Sequence, residues 1–218
     1  MKKLHLILIA LFTVYCVSAQ QNGKAKEILD QVSKKTQSYS SISADFKYSM
    51  INSEQNIDEG YTGTIILKGD KYNVFINDLG ARMVSDGKTV WSYMTDANEV
   101  TISSVDSENQ DLFDPAKIFT IYQNGFTYNY VGEKTEDGTP VYQIDLIPQT
   151  DKYDFKKISM EINKTTMMIY SASFFDKGGT QFKIDVEKVV TDKPVADSMF
   201  VFNTSKYKDI EIIDYRKP

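Results

Sequence analysis

Hydrophobic and polar residues alternate with a period of two along most of the chain. Phe46, Tyr48 and Met50 share one side of an extended segment whose other side carries Lys47 and Ser49. The same alternation separates Tyr72, Val74 and Ile76 from Asn73 and Phe75, and Trp91 and Tyr93 from Ser92. It returns in Tyr142, Ile144 and Leu146, in Ile158, Met160 and Ile162, and in Phe182, Ile184 and Val186. In a strand, successive side chains point to opposite faces, so each run predicts a strand with one apolar face. Turn formers stand between the runs: Lys68-Gly69-Asp70, Asp86-Gly87, Asp137-Gly138, Asn163-Lys164 and Lys177-Gly178-Gly179. Short strands joined by tight turns predict one large antiparallel meander.

Two segments depart from that period. Over 24–38, Ala25, Ile28, Leu29 and Val32 recur at helical spacing with Lys and Glu opposite, which predicts an amphipathic helix. Over about 111–123, Leu112, Pro115, Ile118, Phe119 and Tyr122 fall at roughly helical spacing, and a proline is tolerated in a first helical turn. A sheet of about ten or more strands tends to curl. Its apolar face must then be covered or filled, and the two helices are the natural cover.

The first residues read differently. Lys2 and Lys3 precede an apolar run from Leu4 to Val17, interrupted by His5 and Thr13, and Val17, Ser18 and Ala19 end it with small side chains. This is the form of a secretory signal peptide, and the run is shorter than the roughly 20 residues of a comfortable membrane span. Cys16 suits a lipidation signal poorly because the bulky Tyr15 precedes it. The expected organisation is a signal peptide at 1–19 and one domain at 20–218, undivided by linker, repeat or low-complexity block.

Export removes chemistry as well as residues. The chain has one His and one Cys, His5 and Cys16, and both leave with the segment. Without them there is no Cys nucleophile, no Ser-His-Asp triad, no thiolate or imidazole metal site and no disulfide. The expectation is a protein with no catalytic residues, no metal and no cofactor. The net charge of −5 becomes more negative once Lys2 and Lys3 are gone, which argues against nucleic acid as a partner. Asp106, Glu108, Asp111 and Asp114 form an acidic stretch that lacks the glycine of an EF-hand loop and reads as solvated.

Val84-Ser85-Asp86-Gly87-Lys88-Thr89-Val90-Trp91-Ser92-Tyr93 resembles the V-S-D-G-K-T-L-W-x-Y hairpin of the outer-membrane lipoprotein carrier (LolA-like) family. Ile42-Ser43-Ala44-Asp45-Phe46 is similar to that family's first strand and Gly63-Thr64-Ile65-Ile66-Leu67-Lys68 to its second. Asp197 to Phe202, followed by Ile212-Ile213-Asp214, resembles its D-x-x-F-x-F segment and final strand. The resemblance implies an α+β fold: a single large curled antiparallel sheet, an incomplete β-barrel, with an α-helical lid over an apolar cavity. It also implies a soluble periplasmic carrier, a chaperone that shields the acyl chains of lipoproteins and delivers them from the inner to the outer membrane. The implied partners are acylated lipoproteins as cargo, an ATP-driven extractor in the inner membrane and an acceptor at the outer membrane, with the carrier a monomer.

The acyl-binding candidates are Phe46, Tyr48, Met50, Tyr72, Val74, Trp91, Tyr93, Met160 and Phe182; singly, each equally suits an ordinary core. The lid candidates are Ile28, Leu29 and Val32 of the first helix and Leu112, Ile118 and Phe119 of the second. Each buried CH₂ contributes ~0.8 kcal/mol, so three chains of roughly 15 carbons would exceed the ~20 kcal/mol ceiling of real affinities unless opening the protein offset part of it. Many family members carry an Arg just after the second strand that controls lid closure. Here that turn is Lys68-Gly69-Asp70-Lys71, and after residue 19 the only arginines are Arg82 and Arg216. A carrier or sensor of another lipid (glycolipid, phospholipid or pigment) on the same fold is the alternative reading.

Overall fold

One α-helix and twelve strands make up the regular structure in the computed structural model, which describes residues 22–105, 114–151 and 153–216. The expected signal peptide therefore lies outside the described residues. Helix α1 spans 22–37. The strands are β1 (Ile42–Asn52), β2 (Ile57–Lys68), β3 (Lys71–Ile76), β4 (Ala81–Ser85), β5 (Thr89–Met94), β6 (Glu99–Ser104), β7 (Phe126–Glu136), β8 (Thr139–Pro148), β9 (Phe155–Asn163), β10 (Ile169–Asp176), β11 (Gln181–Thr191) and β12 (Glu211–Asp214). All twelve form one sheet in the order β12-β6-β5-β4-β3-β2-β1-β11-β10-β9-β8-β7. Two meanders, β1 to β6 and β7 to β11, are joined where β1 pairs with β11.

This architecture corrects the expected curled half-barrel under a helical lid. The sheet is open, with β7 and β12 as its two free edges. Closure would set the eleven-residue β7 against the four-residue β12, which cannot match most of the ladder. Elements on both faces cover parts of the sheet instead. The sheet is also mixed, because β12 runs parallel to β6; the C-terminal segment returns along the sheet rather than through a hairpin. A second α-helix is absent from the described residues. From Lys117 to Asn124 the amides bond carbonyls three residues back (Lys117 to Asp114, Thr120 to Lys117, Gln123 to Thr120, Asn124 to Ile121), giving turns and a single 3-10 turn at Ile121–Gln123. Asn124 leaves the turn in an extended conformation and Gly125 takes φ +78°, so the segment ends there without a longer helix to support it. Leu112 lies outside the described residues.

Directly paired residues of neighbouring strands project to the same side, so the register defines two faces. The inner face carries α1. There Ala25, Ile28, Leu29 and Val32 pack with Ile144, Leu146, Ile158, Met160, Ile162, Ala172 and Phe174 in the largest cluster of buried side chains. The same face continues across β1 to β5, where Ile42, Leu67, Tyr72 and Val90 form a second buried cluster, touched by Tyr39, Ala116 and Phe119. On the outer face most positions are charged or hydroxylic, with ion pairs such as Lys47–Glu187 (2.8 Å) and Lys134–Glu161 (2.7 Å). Part of it is covered by the C-terminal segment, where Phe202, Tyr207 and Ile210 pack on Val84, Trp91, Tyr93, Val100 and Ile102 of β4 to β6 in a third cluster.

Candidate functional site

The register divides the acyl-binding candidates into two groups. Phe46, Tyr48 and Met50 pair across β11 with Val186, Ile184 and Phe182. Ile184 and Phe182 pair in turn with Ala172 and Phe174, and Ala172 with Met160. Towards the other edge, Ile65 pairs with Val74, and Leu67 with Tyr72. Seven of the nine candidates, Phe46, Tyr48, Met50, Tyr72, Val74, Met160 and Phe182, therefore share the inner face. Trp91 and Tyr93 do not: Trp91 pairs with Val84, which pairs with Asn73, the neighbour of Tyr72 on the opposite side. The two aromatics lie on the outer face, and the ring of Tyr93 sits 5.2 Å from Phe202 and 4.6 Å from Tyr207.

The seven inner-face residues differ in how far they are sealed. Phe46, Tyr72 and Met160 are buried. Tyr48, Met50, Val74 and Phe182 are half-buried, as are Tyr61, Ile65, Ile76, Met83, Ile184 and Val186 around them. The result is a continuous band of partly exposed apolar side chains on β11 and β1 to β4, beside the part of the inner face that α1 covers. The lid candidates divide as well. Ile28, Leu29 and Val32 are fully packed in the core beneath α1. Ile118 and Phe119 are half-buried on the turns over the inner face, Phe119 touching both inner clusters.

Local sequence explains several of these placements. Gly63 lies opposite Phe46, and a Cβ there would overlap the Phe46 ring and come within 2.6 Å of the Phe75 carbonyl oxygen. The missing side chain is what lets that ring lie flat on the sheet. In the hairpin at residues 84–93, Asp86 Oδ1 accepts from the amides of Lys88 (2.9 Å) and Thr89 (2.8 Å), and Gly87 takes φ +88°. The Asp-Gly turn thus sets the β4–β5 register. Ser85, fully buried, bonds the Tyr72 hydroxyl. Burial, reinforced by the Asp114 carboxylate, pushes the Tyr72 phenol well above its ordinary range, so it stays a neutral anchor.

The two lysines of the β2–β3 turn face away from α1. Lys68 Nζ donates to the Val195 carbonyl (3.0 Å) and to Asp197 Oδ1 (3.0 Å), and Lys71 Nζ donates to the same oxygen (3.2 Å). They hold the carboxyl of Asp197 below its usual range, Lys68 first. The adjoining Phe200 and Phe202 are buried, and Asn73 Nδ2 donates to the Met199 carbonyl at 2.5 Å. The D-x-x-F-x-F segment is accordingly a clasp that fastens the C-terminal segment to the outer face. The charged contact to the helix is elsewhere. Glu133 on β7 accepts from Lys24 of α1 (3.1 Å) and from the Tyr130 hydroxyl (2.8 Å), and also from Lys164. These donors, Lys164 foremost, lower the Glu133 carboxyl to about 2.

Alternation within a strand cannot disclose this site's boundary, because it does not tell which face a neighbouring strand presents. It missed Ile65, Met83 and Tyr61, whose common signal is their place opposite Val74 and Tyr48 across the ladders. Among the described residues no group of three or more His, Cys, Asp or Glu is placed to hold a metal ion. An open apolar face without such groups suits binding an apolar ligand.

The model of the family described as "Outer membrane lipoprotein carrier protein LolA" matches residues 37–203, and the chain belongs to that family. The family is one of periplasmic carriers of lipoproteins and lipids rather than of enzymes, and the chain takes that general class with its membership. The outer-membrane lipoprotein carrier protein of Pasteurella multocida (strain Pm70) is 26% identical over 214 residues, covering 95% of each chain. An uncharacterized protein of Methanocaldococcus jannaschii is 29% identical over 166 residues, which are 73% of this chain and 48% of that one. An uncharacterized conserved protein from Thermus thermophilus shares the fold, with a TM-score of 0.60 at 15% identity over 88% of this chain and 99% of that one.

Proposed function

We propose that the protein carries acylated lipoproteins from an ATP-driven extractor in the inner membrane to an acceptor at the outer membrane. The acyl chains lie on the open part of the inner face, against Tyr48, Met50, Val74 and Phe182, with Phe46 and Tyr72 buried among them and Met160 in the adjoining core beneath α1. The observation that carries this reading is the band of half-exposed apolar side chains on β11 and β1 to β4. A soluble protein rarely leaves such a surface without a partner. Met50 and Met83 within it are unbranched and adaptable, which suits chains of variable packing. The protein acts as a monomer, and it reaches the periplasm through cleavage after Ala19.

Two measurements test the proposal. Purification from the cell envelope followed by mass spectrometry is expected to find acylated lipoprotein bound to a chain that begins at Gln20. A bound glycolipid, phospholipid or pigment would instead identify a carrier of another lipid on the same fold. An empty protein that takes up no labelled lipoprotein would remove the reading altogether.

A further inference from the structure

One carboxylate interrupts the open apolar face. Glu59 lies opposite Met50 across the β1–β2 ladder, so its side chain projects from the inner face, beside Tyr48 and Phe182. It sits near the C-terminal end of β1, and it is exposed. Its Oε2 accepts from the Tyr61 hydroxyl at 2.5 Å. Tyr61 stacks on Tyr48 at 6.1 Å, and Tyr48 on Phe182 at 6.5 Å with the rings nearly parallel. The three rings thus form a ladder that runs from the apolar band to the carboxylate. Among the described residues no lysine or arginine forms an ion pair with Glu59; the cations of β1 and its neighbour β11, Lys47, Lys183 and Lys188, pair with Glu187, Asp185 and Asp45 on the outer face. The field at this end is negative: Glu59 and Asp78 both raise the Tyr61 phenol, and Glu59 adds to burial in raising that of Tyr48.

We infer that Glu59, held by Tyr61, sets the head-group specificity of the acyl-binding face, admitting acyl chains on uncharged or cationic heads and rejecting those on anionic ones. This rests on the carrier reading above. Rings of this kind suit the boundary between an acyl chain and its polar head, because Tyr offers an apolar body and a polar tip. A head that settles at the end of the ladder meets an unneutralised carboxylate. A phosphate or carboxylate there is repelled, whereas the ester and amide linkages of an acylated protein N-terminus are not. Free anionic lipids, abundant at any membrane surface, would otherwise compete for the same apolar area; the carboxylate acts against the wrong ligand rather than for the right one.

The test uses three amphiphiles with one acyl chain in common: a monoacylglycerol, an acylcholine and a lysophosphatidic acid. Each displaces a fluorescent fatty-acyl probe from the full chain below its aggregation concentration at low salt. The expected order places the lysophosphatidic acid weakest, by roughly fivefold or more relative to the monoacylglycerol, the effect of one exposed charge pair about 4 Å apart in water. Glu59→Gln keeps the shape and an acceptor for Tyr61, and is expected to erase most of that gap while leaving the monoacylglycerol unchanged. Glu211→Gln on β12 removes the same charge at the far edge of the sheet, five strands from Glu59, and is expected to leave the gap intact. Equal binding of all three by the unmodified protein, or a gap that survives Glu59→Gln, overturns the inference and leaves the carrier reading standing. Failure of all three to bind overturns both.

Discussion

The two parts of the inner face are built from the same alternating strands and end differently. Across β7 to β10, Ile144, Leu146, Ile158 and Ile162 are sealed beneath α1. Across β11 and β1 to β4, Ile184, Val74, Ile65 and Met83 occupy equivalent positions and stay half-exposed. Composition does not separate them; the reach of one helix does. A sixteen-residue amphipathic helix spans about 24 Å, whereas twelve strands spaced about 4.8 Å apart extend over roughly twice that. The covered part holds the fold together, and the uncovered part is the surface proposed to take the ligand.

The largest expected effect lies in the covered part. Leu29→Ala removes a side chain buried at the centre of the helix interface, and the loss is expected to be about 2–5 kcal/mol in urea unfolding. Val74→Ala, on the open part, is expected to cost under about 1.5 kcal/mol. Comparable losses at both sites would show that the two parts are one core. Ligand binding should reverse the ranking. Val74→Glu sets a charge among the half-exposed residues and is expected to weaken binding of an acyl probe at least tenfold, since burying that charge against a chain is costly. Trp91→Glu, under Phe202 and Tyr207 on the outer face, should lower stability while the folded fraction binds normally. Loss of binding with Trp91→Glu at full stability would place the ligand on the wrong face.

The strands were largely legible in the chain, and the reason is physical. A period of two over Phe46-Tyr48-Met50 or Ile158-Met160-Ile162 reports a half-buried strand whatever its neighbours are, and Asp86-Gly87 reports its own turn. What joins the strands was not legible. The faces of Tyr72 and Trp91 differ because a ladder links Trp91 to Val84 and Asn73, and alternation carries no information across a ladder. The parallel pairing of Glu211–Asp214 with β6 involves four residues with mixed polarity and no turn signal. The segment from about 111 to 123 has helical spacing, yet from Lys117 on its amides bond three residues back instead of four, and Asn124-Gly125 ends it. Half of the candidate site followed from side-chain type; the other half, including Glu59, appears only when strands are laid side by side.

Smaller effects concern how the covered part is closed. The Glu133 carboxyl is lowered to about 2 by its donors, so its contribution is complete above the ordinary Glu value near 4.5 and is lost as the pH falls towards 2. The protection of α1 amides relative to their intrinsic exchange rate should therefore fall as the pH is lowered over that interval, because Lys24 loses its partner, and Glu133→Gln should flatten the dependence. Protection that is insensitive to pH there would show that the apolar contacts alone seat the helix. The smallest effect is expected at the β2–β3 turn. Lys68→Leu and Lys71→Leu act on the clasp at Asp197 rather than on α1, and exposed pairs contribute little. Neither substitution should change uptake or release of cargo; abolished transfer in either would make this turn the control point.

The division of the inner face is tested most directly by photo-crosslinking. A lipoprotein bearing a photoreactive group within an acyl chain is bound to the purified carrier, irradiated, and mapped by peptide mass spectrometry. Adducts are expected on β1, β3 and β11, at or beside Tyr48, Met50, Val74 and Phe182. Adducts confined to β4 and β5 around Trp91 and Tyr93, or to the C-terminal segment that covers them, would contradict the account.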